Sequence, residues 1–144
     1  MTEVVCPACF RVNRVPQERL GDGPKCGRCH VPMLDGKPVS LSGEQFELFV
    51  SRNELLTVVD FWADWCAPCK VFAPVFAQAA QEHKLRLRFG KLDTDAEPAI
   101  AQRYGIRSIP SLLLFRQGEE VDRVAGALDA ARLRVWLLRP AEQR

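Results

Sequence analysis

The sequence predicts an α/β fold, a central mixed sheet flanked by helices, preceded by a small module that a metal holds together. Three observations carry this expectation. Strand-like and helix-like patterns alternate from residue 39 onward, four cysteines crowd the first 34 residues, and all six cysteines form C-x-x-C pairs: Cys6/Cys9, Cys26/Cys29 and Cys66/Cys69. A chain of 144 residues has room for one ordinary domain and a compact appendage. With 47% apolar and 26% charged residues it reads as a soluble globular protein and not as a disordered one. The 20 Lys and Arg against 18 Asp and Glu leave a net charge of +2, which five basic and three acidic residues among the first 34 account for entirely. No chain-wide basic field therefore points to nucleic acid or a membrane surface.

The expected order from residue 39 is β-α-β-α-β-α-β-β-α. Ser42 and Gln45 have capping-box spacing ahead of Phe46, Phe49 and Val50, which predicts a helix over 43–53. Thr57 to Ala63 is β-branched and aromatic, the composition of a buried strand. A long helix follows over 67–83. Pro68 is acceptable in its first turn, whereas Pro74 is expected to kink it. Leu85 to Phe89 alternates as a strand does, with Lys91-Leu92-Asp93 as an extension. Ala96 to Tyr104 suits a short helix ended by Gly105. Ser111–Phe115 and Val121–Val124 read as a hairpin turning at 117–120. Asp129 caps a last helix that runs to about Leu138, before Pro140. Strands separated by helices imply right-handed crossovers.

Residues 1–34 show almost no periodicity and cannot bury a core large enough to offset their chain entropy. Cys6-Pro7-Ala8-Cys9 and Cys26-Gly27-Arg28-Cys29 are separated by sixteen residues, the spacing of two knuckles that share one tetrahedral zinc. In so small a unit, zinc binding supplies the folding energy, about 10–16 kcal/mol. His30 is expected to be a neighbour, because Cys6, Cys9, Cys26 and Cys29 already close the tetrahedron. The expected domains are thus residues 1–34 and 35–144.

The third pair lies between a strand and a helix. Cys66 therefore sits at a helix N-terminus, where free N–H groups and the macrodipole favour a thiolate. Cys69 is one turn along on the same face, within reach of a mixed disulfide on Cys66. A half zinc site is disfavoured, since no further ligands lie nearby in the sequence.

From about 35 to 140 the chain resembles the thioredoxin family. The resemblance rests on Asp60-Phe61-Trp62-Ala63, Trp65-Cys66-Ala67-Pro68-Cys69-Lys70, Pro74, Lys91-Leu92-Asp93, Tyr104-Gly105-Ile106-Arg107-Ser108-Ile109-Pro110-Ser111 and Gly126-Ala127. With the cysteine module in front, the whole chain resembles the long, zinc-containing form, the thioredoxin 2 type. The resemblance implies a thioredoxin fold and a protein-disulfide reductase. Its electrons would come from NADPH through a thioredoxin reductase, and disulfide-containing proteins would be its clients.

Residue by residue, the resemblance makes Cys66 the nucleophile and Cys69 the resolving thiol. It makes Asp60 the buried carboxylate that moves the Cys69 proton, with a raised pKa if burial holds. Lys91 corresponds to the lysine beneath that carboxylate and Trp65 to the exposed tryptophan beside the nucleophile. Ile109 and Pro110 form the cis-proline loop that, with Gly126, receives an extended substrate. Trp62 and Trp136 are expected in the core and His83 as a solvated residue at a helix end.

Three positions depart from the common pattern: Ala67 stands for Gly, and Ser108 and Ser111 for the frequent Gly and Thr. None removes a reacting group. Pro68 favours a reductant over the oxidase or isomerase reading, in which His usually precedes the second cysteine. A third reading makes the cysteine module a docking or redox-sensing element. Nucleic acid is disfavoured for it, since Phe10 is its only stacking aromatic. The N-terminus lacks a signal-peptide pattern and no run approaches a membrane span, so a cytoplasmic location is expected. A monomer with no bound organic cofactor is expected as well.

Overall fold

A computed structural model describes residues 1–140 and 144; residues 141–143, the end of the expected second domain, lie outside the description. The alternating pattern folds as a five-stranded mixed sheet. Its elements are β3 (Val39–Ser40), α1 (Gly43–Arg52), β4 (Leu56–Trp62), α2 (Ala67–Glu82), β5 (Leu87–Asp93), α3 (Pro98–Arg103), β6 (Ser111–Arg116), β7 (Glu119–Ala125) and α4 (Ala130–Leu137). Before them, β1 (Thr2–Val5) and β2 (Val12–Val15) pair antiparallel and a 3-10 helix spans Gln17–Asp22.

The sheet order is β3-β5-β4-β6-β7. β3 and β4 run parallel to β5, β6 runs antiparallel to β4, and β7 returns antiparallel beside β6. Because side chains alternate across a strand, β4 divides its residues between two cores. Val58 packs with Phe72, Phe76 and Ala80 of α2 and Leu133 and Trp136 of α4, while Val59 and Phe61 pack with Phe46 and Phe49 of α1 and Ile100 of α3. Asp60 therefore shares the α2 side with Val58. Among the described residues, no helix is long and apolar enough to cross a membrane.

Several elements differ in detail from expectation. The strand expected at Leu85 begins at Leu87, and Leu85 is exposed at the turn. Ser42 is the N-cap of α1, yet its hydroxyl donates to Gln45 Oε1 (3.2 Å) and no side-chain bond caps the backbone. The helix expected from Ala96 starts at Pro98, a position that tolerates a residue without an N–H, and Gly105 follows its end at φ +62°. Asp129 does cap α4, accepting from Arg132 N–H at 2.8 Å.

His83 requires a correction. It ends α2, as expected, but it is 5% exposed, and neither ring nitrogen has a hydrogen-bond partner among the described residues, because α4 closes over this helix end. Burial, helped by Arg86, lowers its pKa. Trp136 is in the core.

A buried cation lies at the seam between the first 34 residues and the sheet. Val4 turns into a small cluster with Cys6, Val15, Cys26 and Met33, while Val5 turns into the α1 core. Arg88 of β5, 5% exposed, donates from Nη1 to Val5 O (3.0 Å) and Asn53 Oδ1 (2.6 Å) and from Nη2 to Met33 O (3.2 Å). Its guanidinium carbon lies 4.9 Å from the centre of the Phe49 ring. Asn53 Oδ1 also accepts Val5 N–H (2.8 Å), and its amide donates to Phe49 O (2.9 Å). Burial lowers the Arg88 pKa to about 10, so it stays charged at neutral pH.

Arg88→Met removes the donors and leaves buried carbonyls of Val5 and Met33 unpaired. The expected cost is about 2–4 kcal/mol. It would be read as a lower urea midpoint, and an unchanged midpoint would contradict this account of the seam.

Candidate redox and metal sites

β4 ends at Trp62 and α2 begins at Ala67, so the intervening turn delivers Cys66 to the helix N-cap. Cys66 Sγ accepts the Cys69 backbone N–H at 3.2 Å, an interaction that favours negative charge on that sulfur. Cys66 and Cys69 are joined as a disulfide, with Cα atoms 5.2 Å apart. Pro68 occupies the first turn, where its missing N–H leaves no carbonyl unpaired. Each cysteine is 3% exposed, whereas Trp65 beside them is 70% exposed.

The loop before β6 closes the other side. Ile109–Pro110 is a cis peptide, and Ile109 packs with Trp62 against Ala63, Cys66 and Cys69. The Ile109 carbonyl oxygen is 3.6 Å from Cys66 Sγ. Gly126, at φ +101°, donates its N–H to Pro110 O (2.8 Å), a backbone conformation that side chains disfavour. Cys66, Cys69, Ile109, Pro110 and Gly126 thus meet at one end of the sheet.

Asp60 lies on the α2 side of β4, in the strand that leads into the cysteine turn. It is 1% exposed and neither carboxylate oxygen has a hydrogen-bond partner among the described residues. Desolvation raises its pKa to about 7, against the opposing charge of Lys91. Lys91 is its register partner on β5, and the Lys91 ammonium lies 4.7 Å from the centre of the Trp62 ring.

The second site is the four-sulfur cluster. Cys6, Cys9, Cys26 and Cys29 present Sγ atoms all within 4.8 Å of one another. Cys6 and Cys29 are 3.5 Å apart, and Cys9 and Cys26 are 3.6 Å apart. Tetrahedral ligands at zinc–sulfur bonds of about 2.3 Å are separated by about 3.8 Å, so the donor set fits such an ion.

Each knuckle has the same backbone. Cys6 N–H donates to Arg11 O and Phe10 N–H to Cys6 O; likewise Cys26 N–H donates to Val31 O and His30 N–H to Cys26 O. Phe10 and His30 both have positive φ, 62° and 67°. His30 is therefore a turn residue outside the sulfur cluster. Amides of Ala8 and Cys9 donate to Cys6 Sγ, and those of Arg28 and the Asn13 side chain to Cys26 Sγ, at 3.4–3.5 Å. Amide donors, led by Cys29 N–H, hold the Cys26 thiol down at about 5.

The thioredoxin family model matches residues 37–139. Thioredoxin C-3 of Corynebacterium nephridii is 40% identical over 98% of this chain and 97% of that protein. The chain belongs to the thioredoxin family. It is a thioredoxin-type thiol–disulfide oxidoreductase of the long form. The N-terminal model of thioredoxin 2, a zinc ribbon, matches residues 5–31. Thioredoxin of Pyropia yezoensis is 46% identical over 61% of this chain and 82% of its own length.

Solved structures agree. Malassezia sympodialis thioredoxin (Mala s 13) superposes with a TM-score of 0.62 at 36% identity, over 68% of this chain and 85% of that one. A mutant thioredoxin from Halobacterium salinarum gives 0.65 at 33% identity, over 71% of this chain and 88% of that one.

Two features escape a reading of the sequence. Arg88 sits in a strand whose neighbours are apolar on both sides, so a charge there needs a buried partner. The Ser111 hydroxyl, in sequence only a departure from the common pattern, donates to Ser108 O at 2.5 Å.

The Asp60 pKa has a stability consequence. Between about pH 4 and pH 7 the folded chain holds a proton that the unfolded chain has lost, so stability falls as pH rises through that window. Asp60→Asn is therefore expected to stabilise the protein by about 4 kcal/mol above pH 7 and by little below pH 4. Urea titrations at pH 4 and pH 8 would show it; an equal effect at both would contradict the assignment.

Proposed function

We propose that this chain is a general reductant of protein disulfides that works through Cys66 and Cys69, with Asp60 as the proton-transfer group. The observation that carries this reading is the Cys66–Cys69 pair at the start of α2, reached by a short turn from a strand whose buried Asp60 carboxyl has no hydrogen-bond partner among the described residues and has its pKa raised by burial to about 7. In the reduced protein, the Cys66 thiolate attacks one client sulfur. A mixed disulfide forms and the other client sulfur leaves as a thiolate. Asp60 takes the Cys69 proton, and the Cys69 thiolate attacks Cys66 Sγ. The Cys66–Cys69 disulfide forms, the second client thiol departs, and two electrons have passed to the client.

Trp65, Ile109, Pro110 and Gly126 form the client-docking surface in this reading, which the exposure of Trp65 and the meeting of the loop with Cys66 support. Pro68 and Lys91 have supporting roles, one at the helix start and one tempering the Asp60 pKa. A thioredoxin reductase regenerates the dithiol. Residues 1–34 and 35–144 act as two units, the first a structural zinc module in which Cys6, Cys9, Cys26 and Cys29 hold one ion. Zinc when bound would balance the charge of four thiolates and tie the knuckles together. With four sulfur donors supplied by the chain, zinc would serve to hold the module's fold and would have no part in the thiol–disulfide exchange at Cys66 and Cys69. The protein is read as a cytoplasmic monomer.

Insulin reduction tests the redox assignment. Cys66→Ser is expected to abolish turnover, and Cys69→Ser to halt after the first step as a mixed disulfide visible by mass spectrometry. Full turnover by either variant would overturn it. Native mass spectrometry tests the metal: one zinc per chain is expected, and none in a variant with all four knuckle cysteines changed to serine. Retention of zinc by that variant would place the metal elsewhere.

A further inference from the structure

The Ser108–Pro110 loop presents three consecutive carbonyls, each with its own neighbour. Ser108 O accepts the Ser111 hydroxyl (2.5 Å), Ile109 O lies 3.6 Å from Cys66 Sγ, and Pro110 O accepts Gly126 N–H (2.8 Å). Only the first of these depends on a hydroxyl donor. Ser111 itself is rigidly based, being 7% exposed and paired through its backbone to Phe61 on β4 and Ala125 on β7. Ser108, by contrast, is exposed, so without the hydroxyl its carbonyl would be free to turn toward water.

The Ser108 carbonyl and the Ile109 N–H belong to one planar peptide unit. In a trans unit they point in opposite directions, so a group that fixes the carbonyl also fixes the N–H. Ile109 N–H has no hydrogen-bond partner among the described residues. It is a donor beside the redox pair, on a half-buried residue that packs against Cys66 and Cys69.

We propose that Ser111 is a positioning residue for client binding: its hydroxyl holds the Ser108–Ile109 peptide so that the unpaired Ile109 N–H faces the backbone of an extended client. A client carbonyl beside its disulfide is the acceptor. This deepens the reading above and rests on Cys66 and Cys69 being the reductase pair. It also explains how a serine can serve at a position where the family frequently has threonine: both carry the hydroxyl that the loop uses.

The test compares two substrates across four proteins. Insulin offers a backbone to dock, whereas 5,5′-dithiobis(2-nitrobenzoate) offers a disulfide with none. For Ser111→Ala and Ser111→Val, the ratio of kcat/KM for insulin to that for the small disulfide is expected to fall about 3- to 10-fold, the worth of one hydrogen bond, mainly through KM. Ser111→Thr, isosteric with the valine variant and retaining the hydroxyl, is expected to restore the ratio. A ratio unchanged in both hydroxyl-free variants, or lowered equally in the threonine and valine variants, would overturn the proposal. Failure of the wild-type chain to reduce either substrate would instead refute the assignment of Cys66 and Cys69.

Discussion

Asp60 occupies the middle strand of a five-stranded sheet, and no described residue offers its carboxylate a hydrogen bond. An ionised carboxylate in such a place loses its hydration without replacement, so the group holds its proton to near neutral pH. The same strand runs on into the turn that places Cys66 at the N-cap of α2, so one element carries both the buried carboxyl and the start of the cysteine pair. Lys91, one strand over in register, keeps the pKa from rising further. A carboxyl that titrates near neutral pH thus follows from position in the sheet.

The cysteine module relies on the sheet through a second buried charge. Arg88 lies on the opposite face of β5 from Leu87 and Phe89, and it reaches carbonyls at both ends of the first 34 residues, Val5 and Met33. A segment too short for a large core thus gains two anchors: a four-sulfur cluster that gathers its knuckles and a guanidinium that pins it to α1 and β5. The two anchors are distinct in chemistry. One is a set of four thiols, and the other is a guanidinium bonded to backbone carbonyls and an amide oxygen.

Most of this arrangement is legible in the residues. Alternation from residue 39 reveals the order of strands and helices, because period-2 and period-3.6 patterns reflect which faces are buried. The C-x-x-C spacings separate the four cysteines that cluster in the N-terminal module from the pair at the start of α2, since four donors make a set that a fifth and sixth cannot join. Element ends are less legible. Leu85 to Phe89 alternates without a break, yet chain reversal after α2 consumes its first residues and the position of β5 inside the sheet buries Arg88. Ser42 and Gln45 have the right spacing for a box, but their side chains bond to each other. His83 is hidden for a similar reason: a helix end is solvated only when no other element covers it, and α4 does. The Ser111 hydroxyl needs a loop geometry that no periodicity encodes.

What separates a reductant from an oxidase on this scaffold is the free energy of the Cys66–Cys69 disulfide relative to the dithiol. The most direct measurement is therefore the reduction potential of that pair, by equilibration of the full-length protein with glutathione or dithiothreitol at pH 7. The account predicts a value near about −270 mV, which is the figure familiar for thioredoxins themselves. A value near about −120 mV, that of a strong oxidant, would contradict it.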